Sequence, residues 1–223
     1  MFSSVYRSAD QINSAMARVF GHMSLATLTS MVVAMLVASS PSLMAVLFGT
    51  ALKWVVLFAP VIAVVLITIL LASNPPKSIG LLSLHGFASI MGLTLSVFFH
   101  AYTSMSLFTA FMGAAVLFGV MAFYGYFTKR DLSEFGSLLI VALIAIIIAS
   151  VINIFIGSTV MQMTLSALSI LIFMGLTAYD VQTIRTMVST DSNDGVEILG
   201  ALTLYLNFIN IFINLLSLFG DQD

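Results

Sequence analysis

The chain has 223 residues, of which 61% are hydrophobic and only 7% charged, with a formal net charge of −2. A water-soluble domain needs roughly 25% charged residues to cover its surface, so this chain, with a mean hydropathy of +1.16, must be solvated mostly by lipid. The lack of a basic excess or an Arg/Lys cluster argues against nucleic acid as a partner, and the absence of cysteine removes disulfides, thiolate metal sites and cysteine nucleophiles.

Residues 1–19 carry Val5, Ala9, Ile12, Met16 and Val19 at helical spacing, with Arg7, Asp10 and Arg18 elsewhere on the turn. The pattern predicts a short amphipathic helix lying on the membrane surface, with a frayed tail as the alternative. The apolar run 20–37 follows. With arginines before it and Ala38-Ser39-Ser40 after it, it has the outline of a secretory signal peptide, but the leader is long and contains an acid, so a retained span is expected. Further runs occupy 54–72, 79–100, 106–127, 137–156, 164–181 and 198–218. By the ~20-residue criterion these make seven spans within a transmembrane domain at 20–220. The breaks have local causes: Ser73-Asn74-Pro75-Pro76-Lys77 is a turn, and Thr128–Asp131 and Thr190–Gly195 are polar loops. The breaks after Tyr102 and near Gly157-Ser158 are short and uncharged. A short acidic tail closes the chain at 221–223.

The cations set the orientation. With the N-terminus in the cytoplasm, Arg7, Arg18, Lys77, Lys129, Arg130 and Arg185 fall on the cytoplasmic side and only Lys53 falls outside. Trp54, Tyr102, Tyr124 and Tyr126 lie near span ends, where interfacial rings belong. Ala88-Gly92-Ser96 and Ala115-Gly119 place small residues four apart, which lets helices approach closely in ordinary packing.

Two spans carry polar lines. On the seventh, Thr203, Asn207, Asn210, Asn214 and Ser217 are four, three, four and three apart, which puts them on one helical face. An amide without a partner in lipid costs a few kcal/mol, roughly, so this face must look toward other helices or water. On the sixth span Ser166, Ser169, Thr177 and Asp180 share a face interrupted by Phe173. Asp180 is an acid near membrane depth, where insertion costs roughly 2.5–3.5 kcal/mol. It is either an ordinary helix-end carboxylate or a functional one, with Arg185 a candidate charge partner on the cytoplasmic side.

The run from Gly175 to Ile184 (GLTAYDVQTI), followed about twenty residues on by the run from Gly200 to Gly220 (GALTLYLNFINIFINLLSLFG), resembles the signature of the Bax inhibitor-1 family, and most of all its bacterial YccA-type branch. The resemblance extends over the seven-span layout. It implies an all-α seven-helix bundle with the last helix central and the N-terminus cytoplasmic. It also implies a pH-sensitive calcium leak gated by two aspartates on the last two spans, and a link to the membrane quality-control protease FtsH as substrate and modulator. Asp180 matches the first aspartate; the position of the second holds Asn207. Two carboxylates about 4 Å apart repel by roughly 4 kcal/mol at an effective dielectric near 20, which lets such a pair hold a proton near neutral pH. An acid and an amide have no such repulsion and can lock without a proton.

The expectation is therefore a multi-pass protein of a bacterial inner membrane that leaks calcium or other cations slowly. Its polar path is closed by Asp180 and Asn207 and lined by Thr177, Thr203, Asn210, Asn214 and Ser217, and its pH response is blunted by Asn207. Asp180 is the candidate ligand for Ca2+, which enters as permeant ion; no cofactor is expected. The alternative is a modulator or substrate of an FtsH-type protease, gripped at residues 1–18 or the loop Thr190–Glu197. An enzyme is not expected. Intramembrane aspartyl proteases need two carboxylates sharing a proton, and the seventh span has none. His22, His85 and His100 have no metal-ligand spacing and no activated serine. The seventh span also lacks the lysine that a retinal Schiff base requires.

Overall fold

The computed structural model describes residues 7–191 and 193–221. Val5 of the expected N-terminal helix, Ser192 of the last loop and Asp223 of the tail lie outside the described residues. Among the described residues the chain is helical: α1 (Ala9–Ala38), α2 (Pro41–Phe48), α3 (Leu52–Ala72), α4 (Lys77–Leu95), α5 (Phe98–Ala101), α6 (Ser104–Phe127), α7 (Ser133–Ile156), α8 (Thr159–Thr190) and α9 (Asp194–Phe219). Seven stretches are long and apolar enough to cross a membrane: α1, α3, α4 with α5, and α6 through α9.

The ends follow local chemistry. Ser8 and Gln11 form a reciprocal capping box that starts α1. Ser40 caps α2, with Pro41 at its first position. This eight-residue helix is an element the search for long apolar runs passes over, although the Ser-Pro pair announces it. Asn74 takes the left-handed backbone (φ 55°) in the turn before the two prolines. Gly157 does the same (φ 69°) and ends α7 with its N–H on the Asn153 carbonyl. Beyond α6, hydrogen bonds from Ser133 hold the exposed Asp131 carboxyl below the usual carboxylate range.

The chain divides into two compact units. Of the described residues, one unit comprises those of 7–103 and 186–205; the other comprises 104–185 and 206–221. In the first, α1 packs along α4, and small residues make the contact: a Cβ on Gly92 would lie 2.7 Å from the Ser30 carbonyl oxygen. Ser30 Oγ donates to the Ala88 carbonyl at 2.7 Å and lies 2.6 Å from the Tyr205 hydroxyl. The Tyr205 ring meets Phe87 edge-on at 5.9 Å. The charged end of this unit is joined by ion pairs. Arg18 grips Glu197 with two bonds of 2.7 Å, Arg7 reaches the same carboxylate at 3.2 Å, and Lys77 meets Asp194 at 3.2 Å.

These contacts correct the reading of residues 1–19 as a separate helix on the membrane surface. The helix runs unbroken from Ala9 into the first span, and Met16 and Val19 are buried inside the protein. The reason is tertiary: Glu197 offers both arginines a buried anion, so the apolar face of this segment packs on protein.

In the second unit α6 and α8 approach to backbone contact. A Cβ on Gly125 would fall on the Ala178 carbonyl oxygen and 2.7 Å from its Cα. The inward stripe of α6 is Ala110, Ala114, Phe118, Ala122 and Gly125. Ala115 and Gly119 are exposed, with nothing near Gly119, so that pair makes no close approach. A helix apolar all round gives the sequence no moment from which to choose its inner face. Gly125→Ala is expected to lower stability by about 1–3 kcal/mol through overpacking. Gly119→Ala should be neutral, or stabilising by up to roughly 1 kcal/mol. Thermal unfolding in detergent micelles distinguishes them. Of the seven spans, α9 is the most enclosed, with 61% of its apolar stretch buried against 6–33% for the others.

Candidate functional site

The polar faces of the sixth and seventh spans meet in the second unit. The amide of Asn207 donates to Asp180 Oδ2 at 2.6 Å. Asn207 is 5% exposed, and Asp180 is half-buried. α8 continues past Asp180 to Thr190, with Val181, Ile184 and Val188 buried, so the acid sits within a helix and not at its frayed end. A charge-assisted bond of this length is among the stronger neutral-to-ion contacts available to a carboxylate. One turn earlier Thr177 is fully buried and donates to the Phe173 carbonyl of its own helix at 2.7 Å. The surroundings are aromatic: Phe208, next to Asn207, meets Phe118 and Phe111 edge-on at 5.9 and 5.4 Å.

The other predicted residues are placed less uniformly. Arg185 does not pair with Asp180. Its guanidinium donates to the Tyr126 carbonyl at 2.9 Å and lies over the Tyr126 ring. Thr203, which falls in the first unit, donates to the Leu199 carbonyl. Asn210 and Asn214 each bond back to the carbonyl one turn before, at 2.8 Å. Each asparagine spends one of its two amide N–H groups on its own helix, and the other N–H and the side-chain oxygen remain for other partners. Among the described residues no three His, Asp or Glu side chains gather as metal ligands.

A second polar feature lies further along the same helices. A cavity of about 460 Å³ is lined by Ser166, Asn214, Ser217, Gln162, Asn153 and Ser150, among others. Ser217 accepts from Gln162 at 3.4 Å and from Ser166 at 3.3 Å. From Asp180 to Ser166 is fourteen residues of α8, or roughly 21 Å at the helical rise. The sequence marked Asn214, Ser217 and Ser166 but missed Ser150, Asn153 and Gln162. Asn153 belongs to the chain reversal after α7, bonding both backbone groups of Ser158, and its place beside Gly157-Ser158 was the available signal. Glu197 was passed over as a loop residue; its partners are 179 and 190 positions away.

The family model described as "Inhibitor of apoptosis-promoting Bax1" matches residues 12–223. The chain belongs to the Bax inhibitor-1 family. Among relatives of this family member, the inner membrane protein YbhL of Escherichia coli K12 is 36% identical over 217 residues, covering 95% of this chain and 93% of its own length. An uncharacterized protein of Borreliella burgdorferi is 35% identical over 219 residues (94% and 93%). An uncharacterized membrane protein of Streptococcus pyogenes is 42% identical over 140 residues, 61% of each chain. With its seven apolar helices and these relatives, this Bax inhibitor-1 protein is a multi-pass integral membrane protein.

Proposed function

We propose that the protein is a slow cation leak whose polar path is closed where Asn207 meets Asp180. The observation that carries this reading is the 2.6 Å bond between a buried amide and the half-buried acid of the sixth span. A carboxylate at membrane depth is costly and persists where ions or protons must pass. Thr177, Asn210 and the polar cavity supply further polar groups on the same two helices. The N-terminus and the Lys77 turn face the cytoplasm in this reading. The cation count supports it, as do the ion pairs that bring Arg7, Arg18 and Lys77 to one end of their unit. The name of YbhL supports an inner-membrane location.

Asn207→Leu removes the closing amide and keeps the volume. Cation flux into proteoliposomes is expected to rise several-fold with the purified variant. A flux equal to wild type, or none from either protein, defeats the reading.

A second reading, modulation of a membrane quality-control protease by binding, is supported by one contact. The backbone N–H of Arg7 donates to the Ser189 carbonyl at 3.1 Å, and Arg7 also pairs with Glu197. The Arg7 end of the N-terminal segment thus lies beside Ser189 and Glu197, at the two ends of the last loop. Deleting residues 2–12 should abolish a protease effect while leaving flux intact; loss of both together would merge the two roles.

A further inference from the structure

We infer that the cavity between α7, α8 and α9 is a binding site for a partly dehydrated alkali cation, held by neutral side-chain oxygens. This deepens the leak reading and rests on it for the site's role as a station on the path.

The argument is an inventory of donors and acceptors. Asn214 directs one of its two amide N–H groups to the Asn210 carbonyl at 2.8 Å, which leaves one N–H and the side-chain oxygen. Asn153 spends its amide on the Ser158 carbonyl at 3.2 Å, and its oxygen takes one N–H, leaving a second lone pair. Gln162 donates to Ser217, and Ser166 donates its hydroxyl proton to the same oxygen. The residues around the cavity therefore retain acceptors: the amide oxygens of Asn153, Gln162 and Asn214, and the hydroxyl oxygen of Ser166. The hydroxyl proton of Ser217 and the second amide N–H of Asn153, Gln162 and Asn214 are left as donors. Ser217 holds Gln162 and Ser166 in register.

The helix ends add to this bias. Asn153 and Ser217 lie in the last turns of α7 and α9, where unsatisfied carbonyls carry partial negative charge. Gln162 lies in the first turn of α8, the opposite pole, and there the Ser158 hydroxyl accepts from the Met161 N–H. Two negative ends against one capped positive end leave a potential that attracts cations.

The charge of the preferred ion follows from what is missing. Among the described residues no carboxylate lines the cavity. Calcium sites draw on Asp and Glu to offset two charges and a tightly held hydration shell, whereas arrays of neutral oxygens replace the weaker shell of alkali ions. The volume accommodates an ion together with several waters, at about 30 Å³ for each water. Along α8 the nearest formal charge is Asp180, roughly 16 Å by helical rise from Ser169, which also lines the cavity, and Asp221 follows the end of α9 four residues after Ser217.

The test is equilibrium binding of radioactive rubidium to the full-length protein in lipid nanodiscs, with competition by sodium, potassium and calcium. Saturable rubidium binding that potassium displaces and equimolar calcium does not is the expected result. Asn214→Leu should weaken it by about five- to tenfold, the value of one ligand of hydrogen-bond strength. Ser217→Ala, which fills no space and frees Gln162, should weaken it less. Thermal unfolding of both variants within a few degrees of wild type shows that the loss is local. No saturable binding, calcium displacing rubidium at equal concentration, or unchanged binding in Asn214→Leu each overturns the site. Rubidium binding without proteoliposome flux would keep the site and end the leak reading. Flux that Asn214→Leu leaves untouched, with no binding, would do the reverse.

Discussion

Replacing Arg18 with methionine is expected to lower stability by about 2–3 kcal/mol. The Glu197 side chain is only 3% exposed, and Arg18 meets both of its oxygens at 2.7 Å in a fork that matches the carboxylate. Without Arg18 the acid keeps Arg7 alone, at 3.2 Å. A buried carboxylate stripped of its main partner bears its desolvation cost uncompensated, which for fully buried pairs amounts to about 3–5 kcal/mol. The Arg18 side chain is 42% exposed, so water already screens part of the attraction, and the lower figure applies. Methionine preserves the packing of the aliphatic stem and removes only the charge. The check is a double-mutant cycle followed by thermal unfolding in detergent: Arg18→Met with Glu197→Gln should recover most of the loss, since the neutral amide no longer needs a cation. A loss below roughly 0.5 kcal/mol in the single variant would class the pair with ordinary surface salt bridges.

Asn207→Asp should make the proposed closure depend more steeply on pH. The substitution sets a second carboxylate at the place where the amide now lies 2.6 Å from Asp180 Oδ2. With both groups ionised, the repulsion is roughly 4 kcal/mol at about 4 Å and an effective dielectric near 20. One shared proton cancels that repulsion and restores a hydrogen bond. The sign follows: the variant is closed and most stable on the acid side, where the pair holds its proton. It opens and loses stability as pH rises and the proton leaves. The wild type has one acid there and a permanent amide donor, so its flux should vary less over the same range. Flux into proteoliposomes from mildly acidic to mildly alkaline pH measures both. Parallel profiles for the two proteins would show that the pair has no part in gating.

The seven spans were legible because each must cross roughly 30 Å of hydrocarbon, and that demand writes long apolar runs. That the polar faces of the last two spans look inward was legible because polar groups on a lipid-solvated helix must turn toward each other or toward water. The pairing of Asp180 with Asn207 was implied by the resemblance to the Bax inhibitor-1 signature. Other features left no such mark. α6 shows no preferred face in its sequence, and only the contact of Gly125 with Ala178 reveals which stripe lies inside. Asn210 and Asn214 read as partners for other helices, yet each bonds to its own backbone. That choice depends on what the neighbouring helices offer at that height.

The sequence by itself determined the solvent, the number of crossings and the helical faces on which polar groups would gather, since each of these is set by composition and by spacing within a few turns. Only the tertiary structure decided that Arg7 and Arg18 share the buried acid of Glu197. It alone decided that α7 brings Ser150 and Asn153 to the oxygens of α8 and α9. These partners lie far apart along the chain, and no local rule of charge, hydropathy or periodicity relates one to another before the helices pack.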